Sequence, residues 1–281
     1  MLNHHLLKER FETDGAVWPL PVFDEARITK YRAEVEKAES ELHLMGSDYR
    51  CKSQVLFPWL DEIVHDEALG DIVEAVIGPN FHCWDTLFWL KEPGDEKYVS
   101  YHQDATYWNF APKTAAMTVW LAFSDATAEA GAINYALGSH RLSQLEHVDK
   151  KHEHNLLMRG QTIAADIDAY ERAVAEVPAG HVSVHAPFIV HGSPPNRSKF
   201  RRIACGMIFA STACKPVATF SPESTVMVRG VDTYNYMQHD PRPIGDWKSN
   251  ETAWRAAYDR QHENYYKMNL QHAEQAASSA V

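Results

Sequence analysis

The first eighty residues show the hydrophobic spacing of amphipathic helices. An apolar stripe recurs at intervals of three and four between positions 24 and 42, opposite a face rich in Glu and Lys. The stripe consists of Ile28, Tyr31, Val35, Ala38 and Leu42. Asp24 is the predicted N-cap of this helix, and a second helix is predicted over residues 61–77, ended by Gly78. Residues 1–80 are therefore expected to form helical support for the rest of the chain.

After residue 80 the pattern changes to short apolar and aromatic segments separated by turn residues, which is typical of β-structure. The predicted strands cover residues 81–90, 98–104, 114–124, 132–136, 180–185, 188–191 and 202–210, and a shorter strand covers 16–20. These strands predict a mainly β fold with flanking helices. The expected architecture is a double-stranded β-helix, a jelly roll that holds a site between its two sheets.

The chain of 281 residues is expected to form one domain, because β-sandwiches and barrels commonly reach this size as single units. Within residues 1–281 the jelly-roll core is assigned to 81–215. Residues 141–175 are polar, and we interpret them as an insertion that forms a lid over the core. Residues 216–281 are expected to form a C-terminal loop and an amphipathic helix.

The composition argues against several classes of protein. Hydrophobic residues make up 45% of the chain, which suits a packed core rather than a disordered segment. The net charge of −11 argues against a nucleic-acid partner, which would require a basic surface. The sequence has neither a signal peptide nor a run of about 18 apolar residues. We therefore expect a cytoplasmic protein without a membrane segment and with reduced cysteines. The sequence does not indicate an oligomeric state.

A His-x-Asp pair at His102 and Asp104 is the first candidate for chemistry. Side chains at i and i+2 of a strand point to one face, so the predicted strand 98–104 would present both to one metal ion. The pair is a weak signal alone, because the chain has 16 histidines and a buried His–Asp hydrogen bond is the ordinary alternative. A third ligand would complete the 2-His-1-carboxylate group of non-haem Fe(II) oxygenases.

Three later histidines compete for the position of the third ligand: His181, His185 and His191. His181 and His185 share one face of their predicted strand, as in a strand interior. His191 is favoured because a Gly-Ser turn follows it and Arg202 stands eleven residues beyond it.

Arg202 is the candidate for binding an anionic cosubstrate. In the predicted strand 202–210, Arg202, Ala204 and Gly206 share one face, so small side chains leave room for a ligand beside the guanidinium. Arginine also offers a rigid pair of donors that matches a carboxylate. Arg201 falls on the opposite face and is interpreted as a surface residue.

The chain resembles the phytanoyl-CoA dioxygenase family of Fe(II)/2-oxoglutarate-dependent oxygenases over most of its length. The resemblance depends on a set of motifs that occur in the family's order. These are Asp14-Gly15, Ile77-Gly78-Pro79-Asn80, His102-Gln103-Asp104 with Tyr107-Trp108, Thr118-Val119-Trp120-Leu121, Gly138-Ser139-His140, and His191-Gly192-Ser193 with Asn196 and Arg201-Arg202.

This resemblance implies a set of site residues. The implied iron ligands are His102, Asp104 and His191. Arg202 is the implied partner of the distal carboxylate of 2-oxoglutarate, with Ser193 beside it. The other residues that the resemblance implies near 2-oxoglutarate are Gln103, Trp120 and Lys52.

The resemblance also implies the reaction. Such enzymes consume O2 and 2-oxoglutarate, release succinate and CO2, and commonly hydroxylate an unactivated C–H bond of the substrate. Halogenating relatives lack the carboxylate ligand, so the presence of Asp104 favours hydroxylation. Desaturation, cyclisation and epimerisation are alternatives that use the same iron chemistry. A non-catalytic jelly-roll binding protein is a further alternative, although it would not need a complete ligand set and an arginine.

Aromatic residues around the iron motif are the candidates for the substrate pocket. Trp108 and Tyr101 are the two residues that we assign to it, and such rings suit an apolar or cationic small molecule. The other aromatic residues nearby are interpreted as core. The acidic balance offers no basic patch for the phosphates of an acyl-CoA, so we expect a small metabolite or natural-product intermediate as the substrate.

Overall fold

A computed structural model of the protein describes residues 4–149, 152–157, 161–164, 169–217 and 220–279. The helices in these ranges are α1 (His4–Asp14), α2 (Glu25–Leu42), α3 (Pro58–Val64), α4 (Glu67–Ile77) and α5 (Trp247–Ser279). The strands are β1 (Ala16–Pro21), β2 (Phe81–Lys91), β3 (Val99–His102), β4 (Phe110–Ala111), β5 (Ala116–Ala122), β6 (Ile133–Ala136), β7 (His147–Asp149), β8 (Gln161–Ile163), β9 (Arg172–Ala175), β10 (His181–His185), β11 (His191–Ser193), β12 (Arg202–Ser211), β13 (Lys215–Pro216), β14 (Ser224–Arg229) and β15 (Gln238–His239).

Two sheets form the centre of the described structure. The larger sheet has the strand order β1-β10-β5-β12-β2-β14-β15, and the smaller sheet has the order β3-β11-β6-β9. Neighbouring strands are antiparallel except for β14 and β15. Buried residues of α2, α3 and α4 pack in one cluster with β2, β5, β10 and β12 of the larger sheet. The predicted mainly β fold with flanking helices is therefore confirmed.

Alternation along β12 gives the larger sheet two different faces. The odd-numbered residues from Ile203 to Phe209 belong to the buried cluster that includes the apolar stripe of α2. Arg202 and Gly206 instead line a cavity that also contains His191 of the smaller sheet. The space between the two sheets is thus available for a site, as the jelly-roll prediction requires.

The predicted helix over residues 61–77 is wrong in one respect, because the structure has two helices there, α3 and α4. The carboxylate of Asp66 accepts hydrogen bonds from the backbone N–H groups of Ala68 and Leu69 at 3.0 and 3.3 Å. Asp66 is therefore an N-cap that starts a new helix inside the apolar pattern. Asp24 caps α2 as predicted, by accepting from the backbone N–H of Arg27 at 2.8 Å.

Two predicted strands differ from the structure close to the His-x-Asp pair. The strand predicted over 98–104 ends at His102, and Asp104 opens a 3-10 turn that runs to Tyr107. The backbone N–H of Ala105 donates to the carbonyl oxygen of Pro187 at 2.9 Å, which binds this turn to the chain before β11. The strand predicted over 188–191 begins only at His191.

The chain outside residues 81–215 also contributes to the sheets. β1 lies at one edge of the larger sheet and β14 pairs with β2, so both flanking segments supply strands as well as helices. The predicted lid of residues 141–175 includes β7, β8 and β9. Residues 150–151, 158–160 and 165–168 of that segment lie outside the described residues, and its role as a lid stays a prediction.

Two further observations concern the described residues as a whole. None of their helices is both long enough and apolar enough to cross a membrane. Cys51, Cys83, Cys205 and Cys214 are free thiols.

Two glycines with positive φ allow a test of the packing of β10. Gly180 has φ +80°, and a Cβ there would overlap the carbonyl oxygen of Phe23, whereas Gly94 has φ +70° and no atom within 4 Å of that position. We expect Gly94→Ala to lower the free energy of unfolding by about 1 kcal/mol, the cost of a left-handed backbone. Gly180→Ala should lower it by about 3 kcal/mol, because the backbone of Phe23 must also move. Urea denaturation measures both, and equal losses of stability would contradict this account.

Candidate metal centre

His102, Asp104 and His191 meet between the two sheets. His102 ends β3 and His191 begins β11, and the two residues are partners in the antiparallel pairing of these strands. The Nε2 atoms of His102 and His191 lie 3.2 and 3.6 Å from Oδ1 of Asp104. One possible ligand atom from each residue lies within 4.8 Å of the other two, which is the spacing of a site for a metal ion.

A hydrogen bond at the other ring nitrogen orients each imidazole. Nδ1 of His102 lies 2.9 Å from the carbonyl oxygen of Ser100, and Nδ1 of His191 lies 3.1 Å from that of Ile189. A carbonyl oxygen only accepts, so both Nδ1 atoms carry a proton and each Nε2 faces Asp104. This is the tautomer that a metal ligand bound through Nε2 requires.

The two oxygens of the Asp104 carboxylate have different partners. Oδ2 accepts hydrogen bonds from Oγ1 of Thr118 at 2.7 Å and from Nε2 of His185 at 3.1 Å. Oδ1 faces the two histidines of the three-residue group. The bonds to Oδ2 fix the plane of the carboxylate and leave Oδ1 for a metal ion.

Burial and neighbouring groups set the protonation states of this centre. Burial alone would raise the pKa of Asp104, but His191, His102 and His185 hold that pKa well below its ordinary value. Burial, reinforced by the neighbouring His102, lowers the pKa of His191 well below its ordinary value. An ionised carboxylate and a neutral imidazole are the forms that bind a metal ion.

His185, a competing candidate for the third ligand, lies behind Asp104 instead. Its Nε2 donates to Asp104, so its Nδ1 accepts from the hydroxyl of Tyr135 at 2.9 Å. That hydroxyl lies 2.8 Å from Oγ of Ser183, which completes a buried chain of hydrogen bonds. His181, the other competitor, lies at the far end of β10, where its Nδ1 lies 3.2 Å from a backbone carbonyl oxygen.

Arg202 lines a cavity of about 70 Å³ together with the three-residue group. Its side chain is buried, and its Cζ lies 5.4 Å from the ring centre of Trp120. The buried Nε and Nη2 have no hydrogen-bond partner among the described residues. Burial lowers the pKa of Arg202 to about 10, so the guanidinium stays protonated at neutral pH. An unpaired buried cation is costly, and an anion in this cavity would offset that cost.

Lys91 also belongs to this region, although it lies one residue beyond the predicted strand 81–90. Its Nζ donates to the carbonyl oxygens of Ser193 and Pro194 at 3.2 and 2.5 Å, and also to Oγ of Ser193. Ser193 lines the cavity of Arg202, so Lys91 fixes a wall of that cavity. Burial, with a smaller effect of Arg202, lowers the pKa of Lys91 to about 6. The sequence signal for the burial of Lys91 is its position directly after the apolar run that begins at Phe81.

A larger cavity of about 150 Å³ also adjoins His102 and Asp104. Aromatic side chains dominate its walls: Trp84, Trp89, Tyr107, Trp108, Tyr258 and Tyr265. Trp108 was the first residue assigned to the substrate pocket from the sequence, and it lies here. Two of the tyrosines belong to α5, so the C-terminal helix forms part of the wall. The sequence pattern predicts an amphipathic helix here but gives no sign that its tyrosines line a cavity.

Gln103 and Tyr101 are not among the residues that line either cavity, and their predicted roles stay predictions. The side-chain amide of Gln103 donates to the carbonyl oxygens of Ser143 and Phe188 at 2.8 and 2.7 Å. The Tyr101 ring lies 5.6 Å from the guanidinium of Arg172. Both residues neighbour His102 in extended chain, and neighbouring side chains point to opposite sides.

Lys52 is not among the residues that line the cavity of Arg202, and its predicted place beside the cosubstrate stays a prediction. Its Nζ donates to the carbonyl oxygens of Trp84 and Ser224, both at 2.6 Å. These bonds hold the ammonium group between β2 and β14, where it is buried. Lys52 therefore supports the wall of the larger cavity.

A family model and a curated relative match this chain. The model for Phytanoyl-CoA dioxygenase (PhyH) matches residues 11–204. A probable alpha-ketoglutarate-dependent hypophosphite dioxygenase from Stutzerimonas stutzeri is 26% identical over 184 residues, which are 63% of this chain and 63% of that protein. The chain thus spans less than two thirds of the length of this relative.

Solved structures are similar over most of the chain. The structure of ThoJ, a non-heme monooxygenase in its apo form, has a TM-score of 0.84 and 28% identity, and the match covers 94% of this chain and 99% of that one. The structure of CytC3 with Fe(II) and alpha-ketoglutarate has a TM-score of 0.62 and 19% identity, and covers 85% and 93%. These similarities confirm the predicted fold class.

Replacing Thr118 tests whether the bonds to Oδ2 of Asp104 position this ligand. Thr118→Val keeps the shape of the side chain but removes the donor to Asp104, so we expect metal affinity to fall about tenfold. Thr86→Val is the matched control, because Thr86 is equally buried but bonds Gln54. Anaerobic calorimetric titration with Fe(II) measures both dissociation constants. An unchanged affinity in Thr118→Val would show that this bond does not position the carboxylate.

Proposed function

The chain belongs to the phytanoyl-CoA dioxygenase family of Fe(II)/2-oxoglutarate-dependent oxygenases, and we propose that it hydroxylates an unactivated C–H bond of a small metabolite or natural-product intermediate. The observation that carries the proposal is the position of His102 and Asp104. They adjoin both the smaller cavity, which contains Arg202, and the larger cavity with aromatic walls. The first suits an anionic cosubstrate and the second suits an organic substrate.

The residues present fit an iron ion. Two imidazoles and one carboxylate are the donor set of non-haem Fe(II) oxygenases, and this set leaves further positions on the metal open. His102, Asp104 and His191 would hold the ion through Nε2, Oδ1 and Nε2, the atoms that face one another in the site. When bound, iron supplies the activation of O2, for which amino-acid side chains have no equivalent.

The smaller cavity fits 2-oxoglutarate. The unpartnered Nε and Nη2 of Arg202 have the geometry to donate to both oxygens of one carboxylate. Ser193, which Lys91 holds in place, and Trp120 line the same cavity. We propose that the distal carboxylate of 2-oxoglutarate binds Arg202 while its 2-oxo acid end faces the metal ligands.

The proposed reaction converts one C–H bond, one O2 and one 2-oxoglutarate into an alcohol, succinate and CO2. One oxygen atom enters succinate and the other enters the alcohol. Decarboxylation and the C–H bond each give up two electrons, and together they reduce O2. The carboxylate of Asp104 keeps one metal position occupied by protein, which favours hydroxylation over halogenation. The aromatic walls of the larger cavity exclude water and orient the substrate.

Arg202→Gln tests the assignment of the cosubstrate. Loss of the buried charge should raise the KM for 2-oxoglutarate about 30-fold or more. The assay measures succinate formed from 2-oxoglutarate in the absence of the organic substrate. Arg201→Gln is the matched control: Arg201 is the next residue, but its guanidinium forms a surface ion pair with Glu92 at 2.6 Å. Similar KM values for the two variants would contradict the proposed role of Arg202.

A substrate screen tests the reaction type. Candidate small molecules are added to the Fe(II)- and 2-oxoglutarate-loaded protein, and succinate release and product mass are recorded. We expect a product heavier by one oxygen atom, and Asp104→Ala should abolish it because the variant has lost a metal ligand. A product that has lost two hydrogen atoms would indicate desaturation or cyclisation instead of hydroxylation. A product of unchanged mass would indicate epimerisation.

A further inference from the structure

Arg50 is a second arginine whose buried nitrogen has no partner. Among the described residues, only Arg50 and Arg202 have guanidinium nitrogens that are buried without a hydrogen bond. Arg202 lines the smaller cavity, and Arg50 lines the larger one. Each cavity beside the candidate metal centre therefore contains one guanidinium that the described protein does not satisfy.

An aromatic ring holds the guanidinium of Arg50 in place, and no carboxylate pairs with it directly, although the charge of Asp85 acts on it from further away. Arg50 ends a 3-10 turn, and the next residue, Cys51, forms a β-bridge with Leu87 of β2. The Cζ of Arg50 lies 4.9 Å from the ring centre of Trp89, which also lines the larger cavity. No hydrogen bond or ion pair joins the guanidinium of Arg50 to another described residue. Stacking on an aromatic ring leaves the edge of a guanidinium free for an anion.

Besides Asp104 of the candidate metal centre, the larger cavity has two carboxylates, and both are already bonded to the protein. Asp85 accepts from the backbone N–H of Lys52 at 2.8 Å and from the side-chain amide of Gln261 at 3.0 Å. Glu223 accepts from Nε1 of Trp84 at 3.1 Å and from the amide of Asn264 at 2.8 Å. All four carboxylate oxygens thus have donors. A cationic ligand would have to compete with those donors, whereas an anionic ligand would find an unused donor at Arg50.

Asn109 adds a second unused donor to the same cavity. Its side chain is buried, and neither its Nδ2 nor its Oδ1 has a hydrogen-bond partner among the described residues. Buried polar groups rarely stay unpaired in native proteins. An acceptor oxygen on a bound molecule would satisfy the amide of Asn109.

We propose that the substrate carries an anionic oxygen group, a carboxylate or a phosphonate, on a body about the size of a benzene ring, and that Arg50 binds this group. The inference rests on the proposed function, because it takes the larger cavity as the substrate site. The volume of about 150 Å³ is that of a cavity that accommodates benzene, so a body of this size fits between the aromatic walls. Aromatic walls hold the body, and His102 and Asp104 lie in the same wall, so the C–H bonds of the body face the metal centre.

Four compounds with the same ring and different charge test this inference. Phenylacetate, benzylphosphonate, phenylacetamide and 2-phenylethylamine are titrated into the anaerobic protein loaded with Fe(II) and 2-oxoglutarate, and binding is followed by tryptophan fluorescence. We expect at least one of the two anions to bind about tenfold or more tightly than the neutral amide. The tighter of the two anions then identifies the carboxylate or the phosphonate as the preferred group.

The variants assign the preference to Arg50. Arg50→Gln should bind the anion and the amide with similar affinity, and Arg50→Lys should retain part of the preference. Arg255→Gln is the matched control: Arg255 also lies over a tryptophan, 4.4 Å from the ring centre of Trp254, but it pairs with Asp48 and does not line the cavity. It should retain the full preference for the anion.

Three outcomes would overturn the inference. They are a preference for the amine, equal binding of the anions and the amide, and an anion preference that Arg50→Gln retains. The visible charge-transfer band of the Fe(II)–2-oxoglutarate chelate separates this inference from the proposed function. An anion that removes the band binds in the smaller cavity and also overturns the inference. If the protein gives no band at all, the proposed function fails, and the fluorescence titration still measures the dependence of anion binding on Arg50.

Discussion

The hydrogen bonds to Oδ2 of Asp104 join the two sheets at the candidate metal centre. Asp104 lies two residues beyond the end of β3 in the smaller sheet. Thr118 and His185, which donate to it, belong to β5 and β10 of the larger sheet. His102 and His191 come from the smaller sheet alone. The direction of the carboxylate therefore depends on the distance between the sheets, which the packing of the buried cores sets. The buried chain from His185 through Tyr135 to Ser183 makes the same connection further from the metal ligands.

The alternation of side chains explains how one sheet serves both stability and chemistry. On β12, the residues that pack against the helices are apolar, and those that face the smaller sheet include Arg202 and Gly206. The guanidinium in that position is buried, which costs stability, and the apolar packing of the opposite face offsets that cost. Binding of an anion would recover that cost, and the cavity is thus organised for its ligand before the ligand arrives.

The sequence predicted the fold and the direction of Arg202 because both depend on strand alternation, a strictly local pattern. The sequence also placed His102 near Asp104, on the assumption that both lie on one face of a strand. In the structure, Asp104 lies in a turn that follows the strand. For Gln103 and Lys52, a motif match gives the position along the chain but not the direction of the side chain, and both side chains bond backbone carbonyl oxygens. Lys91 was missed because lysine is rarely buried and because it lies one residue beyond the predicted strand 81–90.

The position of α5 has a consequence for how this protein could diversify. Residues 102–202 contain the candidate metal ligands and Arg202, whereas Tyr258, Gln261 and Tyr265 of α5 form a wall of the larger cavity. Glu223, in the same wall, also lies beyond residue 204, where the family match ends. Substitutions in this C-terminal part would reshape the wall without touching the candidate metal ligands. Selection could therefore change the preferred compound through the C-terminal helix while the oxidative machinery stays intact.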